Sequence, residues 1–250
     1  MTSPNSDDQS SESGRFEEDL ESFTQLLHKL KSHGCSVLLA GDVPRELFTE
    51  ASAKLLGADD ERRYRVLAVT DATADSVAER LPDPEVTPRP LTQTTHVLNH
   101  AGTLRSITAA TSTRTPPKLA GVTETRVVDP ELEGLQNALF DAIDDFALGS
   151  GRVSPGDVRV GIDSLEPLIE FYGTEQVRDC LDAIGRYVRT HDAMAHFVLP
   201  EPYESETTSE LAAEVDAVVE LRLADSADDR TAEQRWLVPN RDIRTDWIPL

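Results

Sequence analysis

The sequence predicts an α/β protein built on a mainly parallel sheet. Short continuous apolar runs, such as CSVLLAG (35–41), YRVLAVT (64–70) and VRVGIDSL (158–165), are typical of strands buried on both faces. Amphipathic segments with helical spacing follow these runs, which is the order of parallel strands joined by crossover helices. Two further runs, 217–223 and 234–239, flank an Asp-rich turn and predict an antiparallel strand pair near the C-terminus.

The helices are predicted from apolar residues at helical spacing and from residues that begin or end a helix. Gly34 is a stop signal after the first such segment, and Pro44 suits the start of the second, with Asp42 as its cap. Four prolines between residues 81 and 91 predict a loop. The predicted helices cover residues 16–30, 44–55, 76–81, 132–146, 177–188 and 211–215, and three further strands are predicted over 104–111, 125–130 and 195–200.

Composition divides the chain into a tail and one domain. Residues 1–15 are polar and rich in Ser and Asp, so they cannot bury enough apolar surface to become ordered. No linker or internal repeat interrupts residues 16–250, and that length suits one large domain. The sequence therefore predicts a disordered, acidic and Ser-rich tail over 1–15 and a single domain over 16–250.

The chain is strongly acidic. It has 46 Asp and Glu against 24 Lys and Arg, a formal net charge of −22, and only four of the cationic residues are Lys. A dispersed acidic surface repels itself in dilute buffer, whereas molar salt shortens the Debye length to about 3 Å and screens that repulsion. The composition favours a halophilic protein over an ordinary acidic one. It opposes nucleic-acid binding, because that affinity comes largely from basic residues.

The sequence gives no signal for a membrane or an oxidising compartment. No apolar run approaches the ~20 residues that a membrane helix needs, and the N-terminus lacks the basic-then-apolar order of a signal peptide. Cys35 and Cys180 lie within apolar patterns and have no metal-ligand spacing, so we expect both to be reduced core residues. These features predict a cytoplasmic protein.

The turn after the first strand occupies the place of a phosphate-binding loop in an ATPase. Such a loop, G-x-x-x-x-G-K-[ST], needs glycines whose backbone N–H groups face the phosphates, a Lys that neutralises them and a Ser or Thr that holds Mg²⁺. Alignment on Gly41 of VLLAGDVPRELF (37–48) puts Glu46, Leu47 and Phe48 at the last three positions. Because the required side chains are missing, we expect no cofactor and no catalytic residue.

The replacing side chains indicate what fills that place instead. Asp42 and Glu46 flank the predicted helix start, where carboxylates can satisfy free N–H groups and would repel a triphosphate. Leu47 and Phe48 have the character of core residues. The sequence thus predicts a retained scaffold whose phosphate site is filled by the protein's own carboxylates.

Two further acids end predicted strands. Asp163 ends VRVGID, where an ATPase uses an Asp to orient Mg²⁺, and the alternative is a strand-end Asp that caps the next turn. Asp71 follows YRVLAVT, where an acid could activate water. Both would share with Asp42 the carboxyl edge of the sheet, where open α/β sheets bind ligands. Gly41, Asp42, Asp71 and Asp163 are therefore the candidate residues of a degenerate nucleotide site, and no metal site is predicted.

The order of GCSVLLAG, YRVLAVTD, PGDVRVGIDSLEPLIEFYG and DAMAHFVLP resembles domains of the RecA/KaiC superfamily, and more narrowly the haloarchaeal proteins labelled HTR-like. The resemblance extends over residues 20–245 and implies a RecA-like three-layer fold with no established reaction. It makes Gly41 the first Gly of a lost Walker A motif and Asp163 the Walker B acid. Asp71 falls near the catalytic acid of KaiC-like ATPases, where a pair of Glu residues is usual.

These features favour a non-catalytic regulatory or signalling domain that acts through a protein partner or through self-association. One alternative is an atypical Mg²⁺-dependent nucleotide-binding protein or ATPase that uses Asp71 and Asp163. A second alternative is a DNA-associated transcription regulator, although the chain has no evident helix-turn-helix or basic face.

Overall fold

The computed structural model of the chain describes residues 30, 32–57, 60–100, 115–149, 153–225, 230–241 and 243–250. The predicted tail over 1–15, most of the predicted helix over 16–30 and the predicted strand over 104–111 lie outside the described residues.

The strands within those ranges form one sheet. Its order is β10-β8-β7-β1-β6-β5-β2-β3-β4, and β9 pairs with β8. Every pairing from β7 to β4 is parallel, whereas β8 pairs antiparallel with β7, β9 and β10. The strands are β1 Cys35–Ala40, β2 Tyr64–Val69, β3 Thr95–Asn99, β4 Thr123–Arg126, β5 Val158–Asp163, β6 Met194–Leu199, β7 Ala217–Asp225, β8 Arg230–Val238, β9 Ile243–Arg244 and β10 Ile248–Pro249.

Helices cover both faces of this sheet, which confirms the predicted α/β class with a mainly parallel sheet and an antiparallel C-terminal pair. The fold is consistent with a RecA-like three-layer arrangement. Helices α1 and α2 pack on one face, and α4 and α6 pack on the other. The helices are α1 Arg45–Leu56, α2 Ala74–Arg80, α3 Leu91–Thr94, α4 Leu132–Gly149, α5 Glu166–Tyr172, α6 Thr174–Thr190 and α7 Glu206–Ala212, and short 3-10 turns cover Pro117–Leu119 and Pro239–Arg241.

None of the helices in the described ranges is both long and apolar enough to cross a membrane.

Most predicted elements lie where the apolar patterns placed them, but some elements were predicted at the wrong positions or not at all. The predicted strand over 125–130 is displaced, because the strand is Thr123–Arg126 and all four of its side chains are exposed. The predicted helix over 211–215 instead begins at Glu206, where Ser205 caps it by accepting a hydrogen bond from Thr208 N–H. Strand β3 and helix α5 were not predicted. The exposed residues of β4 and the capping Ser205 carry no apolar periodicity.

A buried histidine fastens α1 to the sheet. Ser52 Oγ on α1 lies 2.7 Å from His196 Nε2 on β6, and both side chains are buried. Gly161 on β5 makes room for the ring, because a Cβ there would lie 2.8 Å from His196 Cε1. Since α1 begins at Arg45, the same attachment sets the position of that residue at the edge of the sheet.

Acid should destabilise the fold through His196. Burial, with smaller contributions from Arg80 and Arg159, lowers its pKa to about 3, whereas the unfolded chain binds a proton near the ordinary pKa of about 6.5. The unfolded state therefore binds more protons between these values, so stability falls as the pH drops below about 6.5. We expect His196 to account for about 2 kcal/mol of the loss in the free energy of unfolding between about pH 7.5 and 5, measured by urea denaturation.

The His196→Gln variant is the comparison for this measurement. Because Gln does not titrate, its free energy of unfolding should depend less on pH by about the same amount. Equal pH dependence in the two proteins would contradict the prediction.

Candidate functional site

The candidate residues follow parallel strands that end at one edge of the sheet. Gly41 follows β1, Asp71 lies two residues after β2, and Asp163 is the last residue of β5. Strands β2 and β5 are neighbours, with Val69 opposite Asp163 and Thr70 N–H donating to Asp163 O at 3.0 Å. From β5 the chain crosses towards β6 and from β2 towards β3, so the adjacent strands β5 and β2, which lead to Asp163 and Asp71, form a switch point of the sheet.

Arg45, the first residue of α1, joins the two acids. Its Nη1 donates to Asp71 Oδ2 at 3.0 Å and its Nη2 donates to Asp71 Oδ1 at 2.9 Å. The same Nη2 also donates to Asp163 Oδ2 at 3.1 Å. Two parallel hydrogen bonds from one guanidinium to one carboxylate fix both side chains more strongly than a single contact.

Arg80, the last residue of α2, supplies a second cation to Asp163. Its Nη2 lies 2.8 Å from Asp163 Oδ2, and the side chains are 0% and 2% exposed. Its Nη1 donates to the carbonyl oxygen of Ser76 at 2.8 Å. Asp163 is thus a buried carboxylate between two guanidinium groups.

The positive and negative charges of this cluster balance, and its surroundings shift the pKa of three of its members. Burial raises the pKa of Asp163, and the charges of Arg80 and Arg45 oppose that rise. Burial lowers the pKa of Arg80, which Asp163 opposes, whereas the hydrogen bond to Asp71 raises the pKa of Arg45. Two cations and two carboxylates therefore form an ion-pair network with no net charge, in which Arg80 and Asp163 are buried and Arg45 is exposed. We call Arg45, Asp71, Arg80 and Asp163 the edge network.

The side chains of the loop after β1 do not make the contacts that the sequence predicts. Asp42 and Glu46 are exposed, and the N-cap position of α1 is Pro44, which has no side-chain acceptor. The prediction that Asp42 caps this helix is therefore wrong. Asp42 also stands outside the edge network, whose contacts come from Arg45, Arg80, Asp71 and Asp163. The sequence predicts that the carboxylates of Asp42 and Glu46 fill the phosphate site, whereas the contacts of the edge network come from Arg45 and Arg80, which hold Asp163.

Gly41 is packed against protein backbone. Its N–H donates to the carbonyl oxygen of Glu201 at 2.7 Å, and a Cβ at Gly41 would lie 2.5 Å from Leu221 O. Phe48, which aligns with the metal-binding Ser or Thr of a phosphate loop, is buried in the core beneath α1, and Leu47 is half-buried. The core character predicted for Phe48 is confirmed, and Gly41 serves a close backbone approach.

Asp71 and Asp163 are brought together by Arg45, which contacts both carboxylates. No group of three or more His, Cys, Asp or Glu side chains suited to a metal ion occurs within the residues that the structure describes. Asp42 is exposed and makes none of the contacts of the edge network, so the three acids do not form one cluster at this edge of the sheet.

The sequence contains two signals for the arginines that the prediction missed. Arg45 stands at the N-terminus of a helix, where the helix dipole disfavours a cation, so a carboxylate partner was to be expected. Arg80 lies three residues after the buried Val77, which puts it on the inner face of α2. A cation on an inner face requires a buried anion, and the strand-end Asp163 meets that need.

Replacing Arg80 should show how much the ion pair with the buried Asp163 contributes to the free energy of unfolding. We expect Arg80→Met to lower the free energy of unfolding by about 3 kcal/mol, because a buried carboxylate loses its closest cation. The matched control is Arg186→Met, which removes a cation from an exposed pair with Asp182 and should cost less than about 1 kcal/mol. Chemical denaturation at fixed salt measures both.

A double variant separates charge from packing. Arg80→Met with Asp163→Asn should be more stable than Arg80→Met alone, because the unpaired charge is gone. A loss in Arg80→Met no larger than in Arg186→Met would show that the edge network is not a stabilising element.

The range matched by a known family contains every residue of this site. Residues 34–221 match the family of unknown function DUF7504, a range that begins just before β1 and ends within β7. A comparison with curated proteins gave no match. Because the matched range spans most of the chain, the protein belongs to the family of unknown function DUF7504.

Proposed function

We propose that this protein is a non-catalytic regulatory or signalling domain of RecA/KaiC type, which acts through contacts with a protein partner or with a second copy of itself in a salt-rich cytoplasm. The proposal places it among proteins that keep the scaffold of an ATPase and have lost its chemistry. Its net charge of −22 and scarcity of Lys favour the salt-rich setting.

One observation carries the proposal: the carboxylate that an ATPase would turn towards Mg²⁺ is held by two protein cations. Asp163 Oδ2 lies 2.8 Å from Arg80 Nη2 and 3.1 Å from Arg45 Nη2. A metal ion that replaced a guanidinium at Asp163 Oδ2 would leave a buried charge without its partner. The edge network therefore favours a closed site over a metal-dependent nucleotide site.

The loop supports the same conclusion. A phosphate loop offers several backbone N–H groups to an anion, but Gly41 N–H already donates to Glu201 O. Phe48 is in the core, where it cannot hold a metal. The atypical ATPase that would use Asp71 and Asp163 must therefore open contacts that the fold has already made.

Apolar side chains near this edge support a role in protein contacts. Phe171 lies on α5, which begins shortly after Asp163, and Val128 follows the carboxyl end of β4. Both are among the exposed large apolar residues. Tyr172 Oη donates to the carbonyl oxygen of Pro130 at 2.7 Å, so the two segments that carry these residues are joined. Contiguous exposed apolar patches mark interaction sites, so Phe171 and Val128 are the residues at which a contact surface is to be tested.

The absence of nucleotide chemistry is tested by titration with labelled ATP and Mg²⁺ in multimolar KCl. We expect no saturable binding up to millimolar ATP, because the edge network occupies the carboxylates and the loop lacks its Lys. Micromolar binding at one ATP per chain would contradict the proposal. In that case Asp163→Asn should abolish binding if the atypical ATPase is correct, whereas the exposed Asp182→Asn should not.

The contact role is tested by pull-down of the tagged protein from its own cells and by light scattering after gel filtration in the same salt. We expect either a stoichiometric protein partner or a defined oligomer. Phe171→Ser should weaken that assembly, whereas Leu148→Ser, at an exposed apolar residue of α4, should not. A monomer that captures no partner would count against this half of the proposal.

A further inference from the structure

A cavity lies under α1, near the amino ends of the strands. Its volume is about 390 Å³, within the usual range of small-molecule sites. Apolar side chains from β1, β6, β7 and β8 form much of its wall, among them Val37, Leu39, Met194, Val219 and Trp236.

The polar part of the wall is mainly cationic. Among the described residues it contains Lys54, Arg63 and Arg159, together with the acid Glu61. This is an unusual surface for a chain with a net charge of −22, because such a chain has few cations to gather. A cationic wall in an acidic protein favours an anionic ligand.

Most of those cations have their own carboxylates. Lys54 Nζ donates to Glu50 Oε1 at 2.9 Å. Arg63 contacts Asp157 Oδ1 at 2.8 Å and Glu61 Oε2 at 2.5 Å. The charges of these side chains are therefore already compensated within the described residues.

Arg159 is different. Its residue is 5% exposed, and its Nε has no hydrogen-bond partner among the described residues. Its Nη1 lies 2.5 Å from the sulfur of Met194, and a thioether is only a weak acceptor. No carboxylate in the described part of the chain forms an ion pair with it, and the nearby Asp157 is engaged by Arg62 and Arg63.

The guanidinium of Arg159 keeps its charge at neutral pH. Burial and the neighbouring Arg63 lower its pKa to about 10, and the weaker effects of Cys35, Glu61 and Asp157 oppose that fall, so it stays protonated. A buried cation that no carboxylate contacts directly destabilises a fold. A ligand that brings a negative charge into this cavity would remove that cost and bind through it.

We propose that the cavity is a binding site for a small carboxylate with an apolar body, in which Arg159 pairs with the carboxylate and the apolar wall holds the body. The site is separate from the edge network. Arg159 and Asp163 lie on the same face of β5, and four residues of strand separate them by about 13 Å. The inference depends on the cavity alone, so it does not require the proposed function to be correct.

The test titrates potassium octanoate into the full-length protein and follows Trp236 fluorescence. The chain has two Trp residues, and the other, Trp247, stacks on Arg222 and Arg235. Trp247→Phe is therefore used as the background so that only the cavity tryptophan reports. The neutral comparison is 1-octanol, which has the same apolar chain without the charge.

We expect saturable octanoate binding at least about tenfold tighter than that of 1-octanol, which is the size expected for one buried charge-assisted contact. Arg159→Met, which keeps the length and apolar volume of the side chain, should weaken octanoate by at least about tenfold and leave 1-octanol within about twofold. The exposed Arg186→Met is the control and should change neither ligand.

Thermal melting provides a readout that needs no variant. Octanoate should raise the Tm of the wild-type protein more than 1-octanol does at equal concentration, because only octanoate supplies the missing charge. Without ligand, Arg159→Met should melt no lower than wild type, because it removes an uncompensated buried cation. Equal affinity for octanoate and 1-octanol, unchanged octanoate binding in Arg159→Met, or no saturable binding at all would each overturn the proposal.

Discussion

The carboxylate of Asp163, buried at the end of β5 between two guanidinium groups, organises the carboxyl edge of this sheet. A buried carboxylate requires compensation, and here it comes from Arg45 and Arg80. These arginines lie on α1 and α2, the helices that precede and follow β2 in the chain. Charge compensation of one strand-end residue thus ties two helices to the central strand β5, and Asp71 balances the cluster by holding Arg45.

The need to compensate Asp163 links two observations: the loop after β1 has no Lys, and the edge network contains two arginines. In a nucleotide-binding ATPase the loop supplies cationic help for phosphates, and the metal ion compensates the strand-end acid. If those groups are lost while the acid stays buried, the acid needs new partners. In this chain the loop has no Lys, and Arg45 and Arg80 are the partners of the buried acid.

The sequence predicted the apolar skeleton well and the polar contacts poorly. Runs such as 35–41 and 158–165 predicted β1 and β5 because buried strands show their apolar character directly. Asp71 and Asp163 were placed at one edge because parallel strands end together. Their partners were not found, since a hydrogen bond between α1 and β5 joins residues 118 positions apart. Periodicity describes which face a residue occupies, but it does not describe which residue lies opposite.

Two buried charged residues on one face of β5, Asp163 and Arg159, have different partners. Asp163 at the carboxyl end is compensated by two internal cations, so an incoming ion would have to break existing contacts. Arg159 near the amino end is as inaccessible to bulk water, yet its contact within the described residues is a thioether sulfur. An uncompensated buried charge costs stability, so an incoming anion would gain most from pairing with Arg159. At the carboxyl end, by contrast, the protein's own side chains already hold the charge of Asp163.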